Sequence, residues 1–266
     1  MIFVLVILGT AALSLVMMLG WVLQRRWRNG GWVDVVWSFG SGAVGVCYAL
    51  APEPGQRWPG PRQGLVAVLV TVWSLRLGTH ILARTRVGAE DRRYAQFRTA
   101  WGTDFERRMF WFLQLQAVAA ALLALSVLLA ARKPGPLGFG DLAGLALLAS
   151  AIIGEAVADG QLRRFRADSA NRGRVCDRGL WRFSRHPNYF FEWLGWLAYP
   201  VFAVDLGGLY PWGWLALSGP ALMYWLLVQV SGIPPLEAQM LLSRGDAYRA
   251  YQARTRAFFP FPIKRL

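Results

Sequence analysis

The chain has 266 residues, 55% of them hydrophobic, with 14 tryptophans and a formal net charge of +14. A positive mean hydropathy at this length argues against soluble domains and makes lipid the solvent to reason with. Two cysteines, Cys47 in an apolar run and Cys176 in a basic one, make no disulfide framework and have no zinc-ligand spacing.

In chain order, apolar stretches of about 17 to 25 residues fall at 1–23, 32–51, 64–83, 109–131, 138–158, 188–205 and 208–230. The expected architecture is all-α: a polytopic integral membrane helical bundle of about seven transmembrane helices, read as one transmembrane domain over 1–266. The first 23 residues have their arginines after the apolar run, unlike a cleavable signal peptide, and read as a retained span. Breaks such as "RRWRNGG", "APEPGQRWPGPRQG" and "DLGGLYPWG" carry the Gly, Pro and charge expected between spans.

Charge sets the expected orientation. Arg25, Arg26 and Arg28 follow the first span, seven arginines lie in 84–108, eight in 159–187, and six Lys or Arg follow residue 230. The alternate loops hold only Arg57, Arg62, Arg132 and Lys133. The positive-inside rule then places the N-terminus outside and the C-terminus in the cytoplasm, in what would be a bacterial inner membrane. The same asymmetry, with contact to anionic headgroups, accounts for the net charge without nucleic acid as a partner. Eight arginines in one loop exceed what orientation needs, and guanidinium pairs bidentately with phosphate, so a phosphorylated ligand is also in play.

Ionisable groups inside spans cost about 2.5–3.5 kcal/mol each on insertion scales and are functional candidates. Span two carries Asp34, span three Arg76 and His80, span five Glu155 with Asp159 at its end, and span six Glu192. Arg76 and His80 are spaced i,i+4, as are Glu155, Asp159 and Arg163, and Asn188 and Glu192. Three helices thus each offer a polar stripe, which suggests a polar cavity open to the cytoplasm. Mutual pairing that simply holds the bundle together is the competing account. "GSGAVG", Gly40 to Gly45, fits a dinucleotide fingerprint but lies in a hydrophobic span with no preceding strand, so close helix packing explains it better.

In the stretch "GLWRFSRHPNYFFEW", Ser184 is a candidate cap and Pro187 sits where a first-turn proline is favoured, so span six should begin near Pro187. Its N–H end, beside Arg182, Arg185 and His186, is a candidate anion site; a snorkelling interfacial cluster capped by Trp181 and Trp193 is the alternative.

"GLWRFSRHPNYFFEW", the upstream "GEAVADGQLRRF" and the tail "PPLEAQMLLSRGDAYRAYQARTRAFFPF" resemble the C-terminal region of the steroid 5-alpha-reductase family, especially its bacterial members of unassigned substrate. "WSLRLGTHILARTRVGAEDRRY" and "WVDVVWSFG" also look like that branch, so the likeness covers about residues 30–262, with a cofactor-binding half over about 138–262. The resemblance implies NADPH in the cytosolic half of the bundle and hydride transfer to an activated carbon–carbon double bond of a lipid, steroid-like, polyprenyl or unsaturated acyl. Carried over by position, the implied cofactor contacts are Arg76, Glu155, Asp159, Arg163, Arg166, Arg174, Arg185, His186, Asn188 and Tyr189, with no metal. Glu155 stands where steroid reductases have asparagine. Trp73 stands where they have the tyrosine that polarises the substrate carbonyl, and it supplies no equivalent proton. Asp34, His80 and Glu192 are therefore the catalytic candidates.

Isoprenylcysteine carboxyl methyltransferases, which bind S-adenosylmethionine, share an R-H-P-x-Y entrance and a tail pattern matched by Glu237, Gly245, Tyr248, Tyr251 and Pro260. The arginine surplus suits a multiply phosphorylated cofactor better than cationic S-adenosylmethionine. A transporter or scaffold would often show inverted repeats or broken helices, and neither is evident in the sequence.

Overall fold

The computed structural model describes residues 2–53, 55–87 and 90–261, except for the Arg92 side chain. Ten α-helices are described: α1 (Ile2–Trp27), α2 (Gly31–Leu50), α3 (Pro61–Val87), α4 (Arg92–Trp101), α5 (Phe105–Ala131), α6 (Phe139–Ala167), α7 (Pro187–Ala203), α8 (Ser218–Trp225), α9 (Ile233–Arg244) and α10 (Asp246–Arg254). No strand occurs among the described residues, as expected where lipid leaves the backbone only its own carbonyls to bond.

Six segments are long and apolar enough to cross a membrane: Ile2–Trp27, Gly31–Leu50, Pro61–Val87, Arg93–Ala131, Phe139–Ala167 and Pro211–Arg244. The protein is a multi-pass helical bundle. The expected span at 188–205 forms α7, whose 17 residues rise about 26 Å, shorter than any of the six. The expected span at 208–230 is broken into a 3-10 segment at Pro211–Leu217, then α8, then a π-helical turn at Leu226–Val230. At Gly232 the chain passes so close to the Leu227 backbone that a Cβ would collide with it.

The chain forms two compact units, Met1–Leu142 with Tyr199–Gly219, and Ala143–Ala198 with Pro220–Leu266. In the first, α1, α2 and α5 pack around Leu13, Met17, Val33, Val44, Met109, Leu113 and Leu128, with Tyr94 of α4 joining them. The α2 glycines allow the close approach: a Cβ on Gly40 would fall into Val16 of α1, on Gly42 into Ser74 of α3, and on Gly45 against Val70 of α3. The glycine run is a packing surface, and the dinucleotide match is a coincidence of spacing.

The stretch expected to be a plain cytosolic loop at 84–108 contains α4. Asp91 caps it by accepting from the Arg93 N–H at 3.0 Å, and Phe97 stacks on Trp101 one turn later (4.6 Å, 5°) while meeting Phe112 of α5 at 5.4 Å. An amphipathic helix with too few apolar residues to span lies readily against a core through such an aromatic face.

Arg62, at the start of α3, is 6% exposed and makes a latch. Its Nε and Nη2 donate to the Asp141 carboxylate at 2.6 and 2.8 Å. Nη1 donates to Lys133 O and Gly135 O at 2.5 and 3.0 Å, and Nη2 also to Pro136 O at 2.7 Å. The guanidinium thus has all its N–H groups engaged, and it fixes the turn between α5 and α6.

In the second unit, Gly154 of α6 leaves room for the Phe191 ring of α7. Phe190, Trp193, Tyr224 and Phe258 pack with ring separations of 5.4 to 6.0 Å. This cluster ties α7, α8 and the C-terminal segment together.

Candidate functional site

The second unit holds a polar cluster built around the entrance to α7. That helix starts at Pro187, where the fixed φ of proline and its missing N–H suit a first turn. Ser184 Oγ accepts from the His186 N–H at 3.1 Å and donates to Phe258 O at 2.8 Å, so it caps the entrance and holds the C-terminal segment at once.

Arg185 turns inward. Its Nε and Nη2 form a bidentate pair with Glu237 of α9 at 2.7 and 3.0 Å, and its Nη1 donates to Thr255 O at 2.5 Å and Gln252 O at 3.3 Å. His186, 2% exposed, places Nε2 3.0 Å from Glu237 Oε1. A carboxylate only accepts, so the bond puts the ring proton on Nε2. Burial pulls the His186 pKa down, and the Glu237 contact opposes but does not cancel this. Gln252 Nε2 donates to Glu237 Oε2 at 2.7 Å, completing the cluster. Arg185 and His186, expected as cofactor contacts, are thus engaged in holding α7 to the C-terminal helices, and Tyr189 stacks on His186 at 5.6 Å and 11°.

Two of the expected polar stripes meet. Asn188 Nδ2, in the first turn of α7, donates to Asp159 Oδ1 on α6 at 3.3 Å. One turn inward on α6, Glu155 is buried, and one turn inward on α7 the buried Glu192 accepts from Trp196 Nε1 at 2.9 Å. Arg163, Arg166 and Arg174 present exposed side chains on the same segment. A carboxamide and a carboxylate can bond hydroxyl or amide groups, and guanidiniums can bond phosphates.

The remaining expected residues belong to the first unit. Arg76 and His80 lie one turn apart on α3, both half-buried, with Trp73 buried one turn before and at 6.4 Å from the Trp37 ring. Asp34 accepts from Arg93 Nη2 at 2.6 Å and from the Tyr94 hydroxyl at 2.7 Å. Arg93 also bonds Asp91, which in turn meets Arg84 at 3.2 Å. Asp34 therefore anchors α4 to α2. Arg93, Tyr94 and Gln252 escaped the sequence reading because their partners lie far away in sequence. Glu237 had a signal, since it opens the tail pattern shared with the methyltransferases.

A family model described as a protein of unknown function, DUF1295, matches residues 20–255. An uncharacterized protein of the fission yeast Schizosaccharomyces pombe is 27% identical, the alignment covering 90% of this chain and 75% of the relative. No solved structure matches the chain. With the match running through the basic segment, the α7 entrance and the Arg185–Glu237 cluster, the chain belongs to the DUF1295 family, whose function is unknown.

Proposed function

We propose that this protein is a membrane-embedded, NADPH-dependent reductase of an activated carbon–carbon double bond in a lipid. The observation that carries this reading is the Asp159–Asn188 pair at the entrance of α7, in a segment that also exposes Arg163, Arg166 and Arg174. The donor set fits the cofactor: guanidiniums for the phosphates, and a carboxylate and carboxamide for ribose hydroxyls or the nicotinamide amide. When bound, the nicotinamide supplies a hydride to the double bond. The chain's own task is to orient that ring and deliver a proton to the adjacent carbon or carbonyl oxygen. Asp34 spends its two oxygens on Arg93 and Tyr94, and Glu192, one turn from Asn188 on α7, is the proton donor this reading favours.

The positive-inside pattern supports a cytosolic position for the basic segment, with the N-terminus outside, in a bacterial inner membrane. Calorimetry on the purified protein tests the cofactor: NADPH should bind, and Arg174→Ala should weaken it about tenfold or more, the worth of one charge-assisted contact. Absence of NADPH binding, with S-adenosylmethionine binding in its place, would replace the reductase by a methyltransferase. Lipids from cells with and without the protein should differ by two hydrogens in one species.

A further inference from the structure

A cleft of about 430 Å³ lies in the second unit, lined by Asp177, Arg178, Gly179, Arg182, Arg254 and Thr255. This is within the range of about 300–1,000 Å³ typical of small-molecule sites. Arg254 pairs with Asp177 across one wall, which leaves Arg178 and Arg182 as two uncompensated positive charges. Both are exposed, and neither guanidinium has a hydrogen bond or ion pair among the described residues.

The frame beneath these arginines is pinned on every side. The Leu180 N–H donates to Gln161 Oε1 at 2.9 Å, and Gly179 sits at φ +58°, where a Cβ would press into the same Gln161 amide. Trp181, 7% exposed, donates from Nε1 to Ala158 O at 3.0 Å, and its own carbonyl accepts from the Tyr251 hydroxyl. On the opposite wall Thr255 is 4% exposed, its N–H donating to Tyr251 O at 2.9 Å and its carbonyl held by Arg185. Orienting a protein in a membrane requires only a count of charges near the surface. It does not require them on a backbone fixed by Gln161, Tyr251 and the Arg185–Glu237 pair. Holding charged donors on a rigid frame reduces the entropy lost on binding an anion.

We infer that this cleft is a phosphate-binding site, in which Arg178 and Arg182 take a phosphomonoester or phosphodiester group beside the Asp177–Arg254 pair. The shared chemistry is a phosphate oxygen set recognised by two guanidiniums. It is met by an anionic lipid headgroup or by a soluble phosphorylated molecule. The site uses none of the residues assigned to NADPH, and its failure would leave that reading untouched.

The test uses the full chain purified in neutral detergent. Thermal unfolding is followed against sodium phosphate, with sodium chloride at matched ionic strength as reference. Phosphate should raise the Tm of the wild type. In Arg178→Gln/Arg182→Gln the half-saturating phosphate concentration should rise about tenfold or more. In Arg26→Gln/Arg107→Gln, which removes equal charge at exposed positions elsewhere, it should not change. An equal loss in both variants, or none in the cleft variant, overturns the inference. If the cleft variant does not fold, protection from phenylglyoxal decides on the wild type: phosphate should shield Arg178 and Arg182 selectively, and uniform modification overturns it. Native mass spectrometry from nanodiscs then separates the sources. Phosphatidylglycerol retained by the wild type and lost in the cleft variant assigns a lipid headgroup. A phosphate effect without lipid retention assigns a soluble ligand.

Discussion

Replacing Arg62 by alanine should be among the most destabilising single changes in the protein. Arg62 and Asp141 are both 6% exposed in their side chains, so truncation strips a buried carboxylate of its bidentate partner and leaves it only the Gly138 N–H and the charge of Lys133. Breaking such a buried pair costs about 3–5 kcal/mol. The carbonyls of Lys133, Gly135 and Pro136 lose their donor as well; they sit at the end of a loop where water reaches some of them, so their added cost is at the lower end of about 1–3 kcal/mol each. A total of about 6–8 kcal/mol is expected. It should appear in SDS-driven unfolding in mixed micelles, read by tryptophan fluorescence, as a midpoint moved far towards low SDS. Arg62→Met/Asp141→Leu removes the stranded charge and should recover only part of the loss, because the three carbonyls stay unpaired. If Arg62→Ala unfolds like the wild type, or if the double variant recovers everything, the latch is not what holds this turn.

Glu237→Gln should cost about 3 kcal/mol, by leaving Arg185 with one carbonyl-rich side and no carboxylate, and limited proteolysis should then cut between α9 and the end of the chain. His186 gives a pH dependence whose sign is fixed by burial. Its pKa in the fold lies below the ordinary value near 6.5, so below about pH 6.5 the unfolded chain binds more protons than the folded one. Stability from this group is full above that pH and falls as the pH drops, and His186→Gln should flatten the slope in the same SDS titration. Burial also pushes the Cys176 thiol pKa up. A soluble maleimide at pH 7.5 should therefore label Cys176 slowly in the folded protein and rapidly after SDS; equal rates would contradict its buried position.

The membrane character and most helices are legible in the sequence, because a bilayer forces each crossing segment to satisfy its own backbone and to be apolar along about twenty residues. The start of α7 at Pro187 and the close packing at Gly40, Gly42 and Gly45 follow from equally local rules. The meeting of Asp159 with Asn188 was partly readable, since i,i+4 spacing assigned each to a polar stripe before any contact was known. Pairings across long separations were not readable. Asp34 finds Arg93 59 residues on, Arg62 finds Asp141 after 79, and Arg185 finds Glu237 after 52. Helical periodicity says which face a charge occupies but not which helix that face meets. Residues that looked alike as loop arginines were sorted only by tertiary structure: Arg185 is drawn in because Glu237 sits within reach, whereas Arg178 and Arg182 remain exposed because the frame beneath them is fixed and the nearby Asp177 is paired with Arg254.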